Sequence, residues 1–210
     1  MTVTKLERQK CRKNRWSVFV DGEFVFGLDE VDLLYYKLRE GGEISPERLD
    51  YLRDQVVYAQ ACEKAMDFLS FRPRTVKEIE KKMSEDYAAD MIARVMDMLR
   101  EYKYVDDAAY ADEYVKERVS AGYGVKKIEW ELRGRGVGQG FIGPALERAV
   151  EMQREAASAA FRAKYRNKAA LDDNEKSAAY GYLVRRGFEK EIIIEILREF
   201  TDGDLDSYTD

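Results

Sequence analysis

The sequence predicts a mainly α fold: three tandem three-helix repeats forming an elongated curved array, preceded by a small N-terminal β-hairpin and helix. Three observations lead there. Strand-forming runs are confined to residues 15–27. Beyond Ser45 apolar residues fall three or four apart, only 3 prolines interrupt 210 positions, and 37% of residues are charged, a balance that suits long, solvent-laced helices. Apolar and capping positions then recur at a period of roughly fifty residues, a unit with a thin core of its own, so successive units are expected to stack.

The elements follow in chain order. RWSVFVDGEFVFG, residues 15–27, holds two runs rich in Val and Phe around Asp21 and Gly22, a pair that tolerates the positive φ of a tight hairpin turn. With that turn Val18 is expected to face Val25 on one side of the ribbon and Phe19 to face Phe24 on the other. Both faces are apolar and a lone hairpin is marginal in water, so it should lean on a helix or a partner. Before it, Lys5, Arg8, Lys10, Arg12, Lys13 and Arg15 form a basic arm, either solvated or following a phosphate backbone. Asp29 is placed to cap a short helix over Glu30 to Leu38, which Gly41 and Gly42 end.

Ser45 and Pro46 mark the start of a long helix reaching about Leu69, with Leu49, Leu52, Val56, Ala59, Cys62, Ala65 and Met66 at helical spacing. Pro73 stops it, and Thr75 with Glu78 has the spacing of a capping box for the next helix. Asp106 caps the helix carrying Tyr110, Ala111, Tyr114 and Val115, and Asp172 with Glu175 repeats the box before Ala178, Ala179 and Leu183.

The period shows in Met83, Leu132 and Leu183, separated by 49 and 51 positions, and in Leu99, Leu146 and Leu197, separated by 47 and 51. Gly136 and Gly187 close the middle helix of the last two copies, as a left-handed cap residue does; Tyr87 and Ala88 stand near the equivalent place in the first. The expected division is 1–44 for the basic arm, hairpin and short helix, 45–104 for the first repeat with its leading helix, 105–153 for the second, 154–200 for the third and 201–210 for an acidic tail.

Composition narrows the function. Histidine is absent, which removes the commonest general base, metal ligand and triad member. No enzyme, cofactor or metal is expected. Asp106 with Asp107 and Asp172 with Asp173 lie at helix starts, where carboxylates cap amides. The glycines of GRGVGQGFIG, residues 134–143, join two helices instead of following a strand as a dinucleotide fingerprint requires. Cys11 and Cys62 belong to no metal or redox spacing, no secretory signal or membrane span is apparent, and the protein is expected in the cytoplasm. A net charge of −5 argues against affinity built mainly on neutralised phosphates, so a protein partner is the better expectation.

VDDAAYADEYVKERVSAGYGVKKIEWELRGRGV, from Val105 to Val137, resembles the central repeat of the RecX family. AMDFLSFRPRTVKEIEKKM, Ala65 to Met83, resembles that family's first repeat, and KSAAYGYLVRRGF, Lys176 to Phe188, its third. VTKLERQK and WSVFVDGEFVFGL resemble the leader of some members, so the likeness runs from Val3 to about Phe200. The acidic TDGDLDSYTD beyond it has no counterpart there that we identify. The resemblance implies three tandem three-helix repeats and a regulator that binds the RecA filament on single-stranded DNA; separately, a monomer is expected, and the basic runs add an expectation of weak direct DNA contact. It implies modulation, mostly inhibition, of RecA and supplies no catalytic residues. A helical-repeat DNA-binding protein acting without RecA is the alternative, and a scaffold for other proteins a third.

Contact candidates come from local chemistry. Arg118, Lys126, Lys127, Arg133 and Arg135 gather positive charge around Tyr123, suited to an acidic protein surface or DNA phosphate. A solvated helix face is the competing reading, since Lys127 and Glu131 stand four apart. Arg185 and Arg186 precede Gly187, where cations also complement a helix C-terminus. Arg72 and Arg74 flank Pro73 and are equally open. Arg162, Lys164, Arg166 and Lys168 form a second basic run beside Phe161 and Tyr165, which read as core.

Overall fold

Val3–Arg8 forms strand β1, which pairs antiparallel with β2 (Arg15–Val20), itself paired with β3 (Glu23–Asp29), in the order β1-β2-β3. The computed structural model describes residues 1–10, 14–166, 168 and 170–202, and the chain divides into two units, Met1–Val105 and Asp106–Asp210. The first residues are therefore a strand and not a solvated basic arm. Val3 is buried, its amide donates to the Gly42 carbonyl, and its carbonyl accepts from the Gly41 amide, so backbone pairing holds the segment despite its charges. Cys11, Arg12 and Lys13 of that stretch, and residues 203–210 of the acidic tail, lie outside the described residues.

Asp21 and Gly22 turn the hairpin with φ of 50° and 90°. Phe19 pairs with Phe24 as expected, but a register shift between Val18 and Phe19 sets Val18 opposite Phe26 instead of Val25. The bulge brings Val18 and Phe26 onto the core together. Helix α1 (Glu30–Tyr35) ends short of Leu38 because Lys37 turns left-handed at φ 52° and donates to the Leu34 carbonyl. Asp29 makes no capping bond; its carboxylate accepts instead from Nη1 of the buried Arg15 at 3.0 Å.

The Ser45 hydroxyl accepts from the Arg48 amide at the start of α2 (Pro46–Tyr51). The single helix expected to Leu69 is interrupted: Leu52–Val57 is π-helical before α3 (Tyr58–Ser70). The wide turn has a packing reason. It brings Leu52 and Val57, five residues apart, both into the core, while Val56 is only half-buried. The capping box of Thr75 and Glu78 opens α4 (Val76–Met83), and α5 (Ala89–Glu101) completes a bundle sharing its core with the sheet through Val18, Leu28, Leu52, Ile79, Met83 and Leu99.

In the second unit α6 (Asp107–Ser120), α7 (Val125–Gly134) and α8 (Gln139–Glu151) close around Ile128, Leu132 and Ile142. The helices α9 (Gln153–Tyr165), α10 (Asp173–Arg185) and α11 (Lys190–Asp202) close around Phe161, Leu183 and Ile193. Asp106 caps α6, and Asp172 with Glu175 boxes α10. Gly136 and Gly187 take φ of 83° and 88°. The period-marking Met83, Leu132 and Leu183 are at most 1% exposed, so one sequence position does the same core work in each bundle. Among the described residues no helix is long and apolar enough to cross a membrane.

Candidate partner-binding surface

The start of α7 has no side-chain cap, since its N-cap is Gly124. Its first amides are satisfied from the third repeat: Gly124 donates to the Arg186 carbonyl at 2.8 Å and Lys126 to the Gly187 carbonyl at 3.2 Å. The carbonyl end of α10 thus meets the amide end of α7, an arrangement both helix dipoles favour. Such an approach requires two glycines. A Cβ at position 124 would fall 2.3 Å from the Gly187 oxygen, and one at 187 would fall 2.3 Å from the Lys127 nitrogen.

This junction aligns cations and tyrosines from both repeats. Arg135 lies 4.9 Å from the Tyr114 ring, and Arg118 lies 3.7 Å from Tyr123. Arg186 sits 4.9 Å from both Tyr123 and Tyr182, and Lys164 is 3.9 Å from Tyr182. Arg186 Nη1 also donates to the carbonyls of Ala121 and Gly122, each at 2.8 Å. The result is an alternating row, Arg135, Tyr114, Arg118, Tyr123, Arg186, Tyr182 and Lys164, in which each ring face steadies a cation.

One carboxylate anchors the row. Glu131 accepts from Nε and Nη2 of Arg118 at 2.8 and 2.7 Å and from the Tyr114 hydroxyl at 2.8 Å. The Arg118 and Glu131 side chains are 22% and 15% exposed. Burial disfavours both charges, yet hydrogen bonds from Tyr114 and Arg118, with the charges of Arg118 and Lys127, hold the Glu131 carboxyl below its ordinary value. Against the same burial, Glu131 raises Arg118. Burial and the Glu131 contact push the Tyr114 hydroxyl up. The pair stays ionised at neutral pH, so Arg118 is held in place while its row remains positive.

Of the residues singled out from sequence, Arg118, Tyr123, Arg135, Arg186 and Lys164 come together here. Lys126 and Arg133 lie on the side of α7 away from Glu131, whereas Lys127 stands one turn before it on the same face. Lys127 pairs with Glu131 at 3.8 Å, and Arg133 with Glu129 at 2.6 Å and Gln139 at 3.1 Å. Lys168 is engaged by Glu175 at 2.6 Å. Arg162, Arg166 and Arg185 are exposed, without an ion-pair partner among the described residues. In the other unit Arg72 binds Glu78 at 3.1 Å, and Arg74 packs 4.1 Å from the Phe68 ring. Sequence reasoning missed Tyr114 and Tyr182 as partners of the row, and Trp130, 68% exposed on α7. For Trp130 the signal was available: it falls opposite the Val125, Ile128 and Leu132 face.

Models of the regulatory protein RecX N-terminal domain, the first RecX three-helix domain and the second match residues 1–45, 61–99 and 106–146. The chain is 32% identical to Regulatory protein RecX of Clostridium acetobutylicum, over 94% of this chain and 95% of that one. It is also 32% identical to Regulatory protein RecX of Bacillus licheniformis, over 97% and 79%. A crystal structure of regulatory protein RecX superposes with a TM-score of 0.61 at 27% identity, covering 94% of this chain and 98% of that one. RecX from Lactobacillus salivarius gives 0.60 at 25%, covering 69% and 96%.

Proposed function

Because this chain belongs to the RecX family of regulatory proteins, we propose that it binds the RecA filament on single-stranded DNA and modulates, mostly by inhibition, the recombinase's ATP hydrolysis, strand exchange and coprotease activity. It acts as a cytoplasmic monomer, by binding and without chemistry of its own. The observation that carries this reading is the cation–tyrosine row shared by the second and third repeats. Four cations, Arg135, Arg118, Arg186 and Lys164, stand against the single anchoring carboxylate Glu131, each steadied by a ring. Preorganised charge in a row suits an extended acidic surface, because little side-chain freedom remains to be lost on contact.

The test is titration of the pure protein into RecA hydrolysing ATP on single-stranded DNA. Inhibition below equimolar protein is expected; unchanged hydrolysis at saturation refutes the reading. Replacing Arg186 by Ala should weaken inhibition, with helicity retained. Arg162, Arg166 and Arg185, exposed and without an ion-pair partner among the described residues, favour a second reading, a helical-repeat protein that binds DNA without RecA. That activity would persist with RecA absent and fall steeply with salt.

A further inference from the structure

Helix α7 turns Val125, Ile128 and Leu132 inward, each at most 8% exposed. Trp130 projects from the other side at 68% exposure, with Lys126 four residues before it and Arg133 three after. These spacings put one cation about a turn away on either side of the indole. Lys127 lies 4.4 Å from the Trp130 ring centroid, and the indole remains largely open to solvent. Lys126 has no ion-pair partner among the described residues, and the Arg133 pair with Glu129 is a surface i,i+4 contact, exchangeable for a phosphate.

We propose that this outward face of α7 is a single-stranded DNA contact, in which Trp130 stacks on a base while Lys126 and Arg133 hold the flanking phosphates. The inference rests on reading the second repeat as partner-facing and adds to it a direct nucleic-acid contact. Charge complementarity favours a polyanion: Lys126 and Arg133 flank the indole with Glu129 the one carboxylate that α7 places between them on this face, while Lys127, beside the ring, is shared with Glu131. Chemistry favours a base over a protein side chain. Trp130 is the only exposed apolar residue of α7, too little for the apolar cluster at the centre of a protein interface, whereas one exposed indole is enough for one base. Stacking tolerates any sequence, so the contact reads single-strandedness and not a motif.

The experiment uses the full chain and a fluorescently labelled dT oligonucleotide, with RecA absent. Wild type should bind it, with Trp130 emission quenched as the complex forms. Trp130→Ala should weaken binding by roughly tenfold, Trp130→Phe should retain most of it, and Lys126→Ala should lower the salt slope by about one. Trp130 is exposed, so these variants are expected to fold, and circular dichroism checks that they do. Wild-type binding by Trp130→Ala, or no binding by wild type, overturns the proposal. So does a Trp130→Ala protein that binds the oligonucleotide normally yet no longer slows RecA, since the face would then meet protein. Failure of the filament reading is scored separately, by the ATPase titration with wild type.

Discussion

A Cβ at Gly187 would meet the Lys127 nitrogen at 2.3 Å, whereas one at Gly22, whose φ of 90° matches the 88° of Gly187, would meet nothing within 4 Å. The two positions separate backbone strain from steric exclusion. Gly22→Ala should cost about 1 kcal/mol, the strain of a left-handed residue alone. Gly187→Ala should cost about 2–5 kcal/mol, because the α7 start must also move and lose the amide partners it takes from α10. Urea unfolding of the unit containing each substitution measures this, and equal losses would refute the junction as described. Glu131 makes a second residue-scale prediction. Its folded carboxyl titrates below the ordinary 4.5, so its contribution is complete above that value and is lost as pH falls through the lowered one. Glu131→Gln should destabilise the second unit at pH 7 and flatten its decline toward pH 3. Parallel urea midpoints across that range would show the pair to be idle.

At the scale of elements, most helix ends were readable because a cap is a local bond between neighbours in sequence. The Thr75 and Asp172 boxes and the Ser45 and Asp106 caps all stand where their residue types put them. Thr75 is fully buried, so Thr75→Ala leaves an orphan amide without water and should cost about 1–2 kcal/mol; Asp172→Ala, at an exposed cap, should cost about 0.5–1 kcal/mol. Thermal unfolding tests the order, and a larger loss at Asp172 would contradict it. The misread elements were those whose shape packing sets. Nothing in LRDQVV announces a π turn; it forms because Val57 and not Val56 must reach the core. Asp29 has a cap's identity and position, but the buried Arg15 claims its carboxylate. VTKLER, rich in charge, becomes a strand because β2 offers it an unpaired edge.

For the molecule as a whole, the net charge of −5 means that affinity for bare DNA must come from local groups. Its logarithm should fall against log salt with a slope of only about 2–3, the few phosphates that Lys126, Arg133 and their neighbours can neutralise. Inhibition of RecA should survive salt that abolishes this binding. A slope near 8 would instead mark a dedicated DNA-binding protein. The candidate surface was half readable at this scale. Arg118, Tyr123, Arg135, Arg186 and Lys164 were singled out for their residue types, but the row they share appears only when α10 docks on α7.

Chain order, bundle membership and helix caps follow from residue identity, because capping bonds and the roughly fifty-residue recurrence of buried Met83, Leu132 and Leu183 act over short, countable distances. Which cations stay free and which are bound within the molecule was decided in three dimensions. Arg186 and Gly122 are 64 residues apart in sequence yet 2.8 Å apart in space, and no local spacing encodes a meeting that depends on two glycines letting two backbones touch.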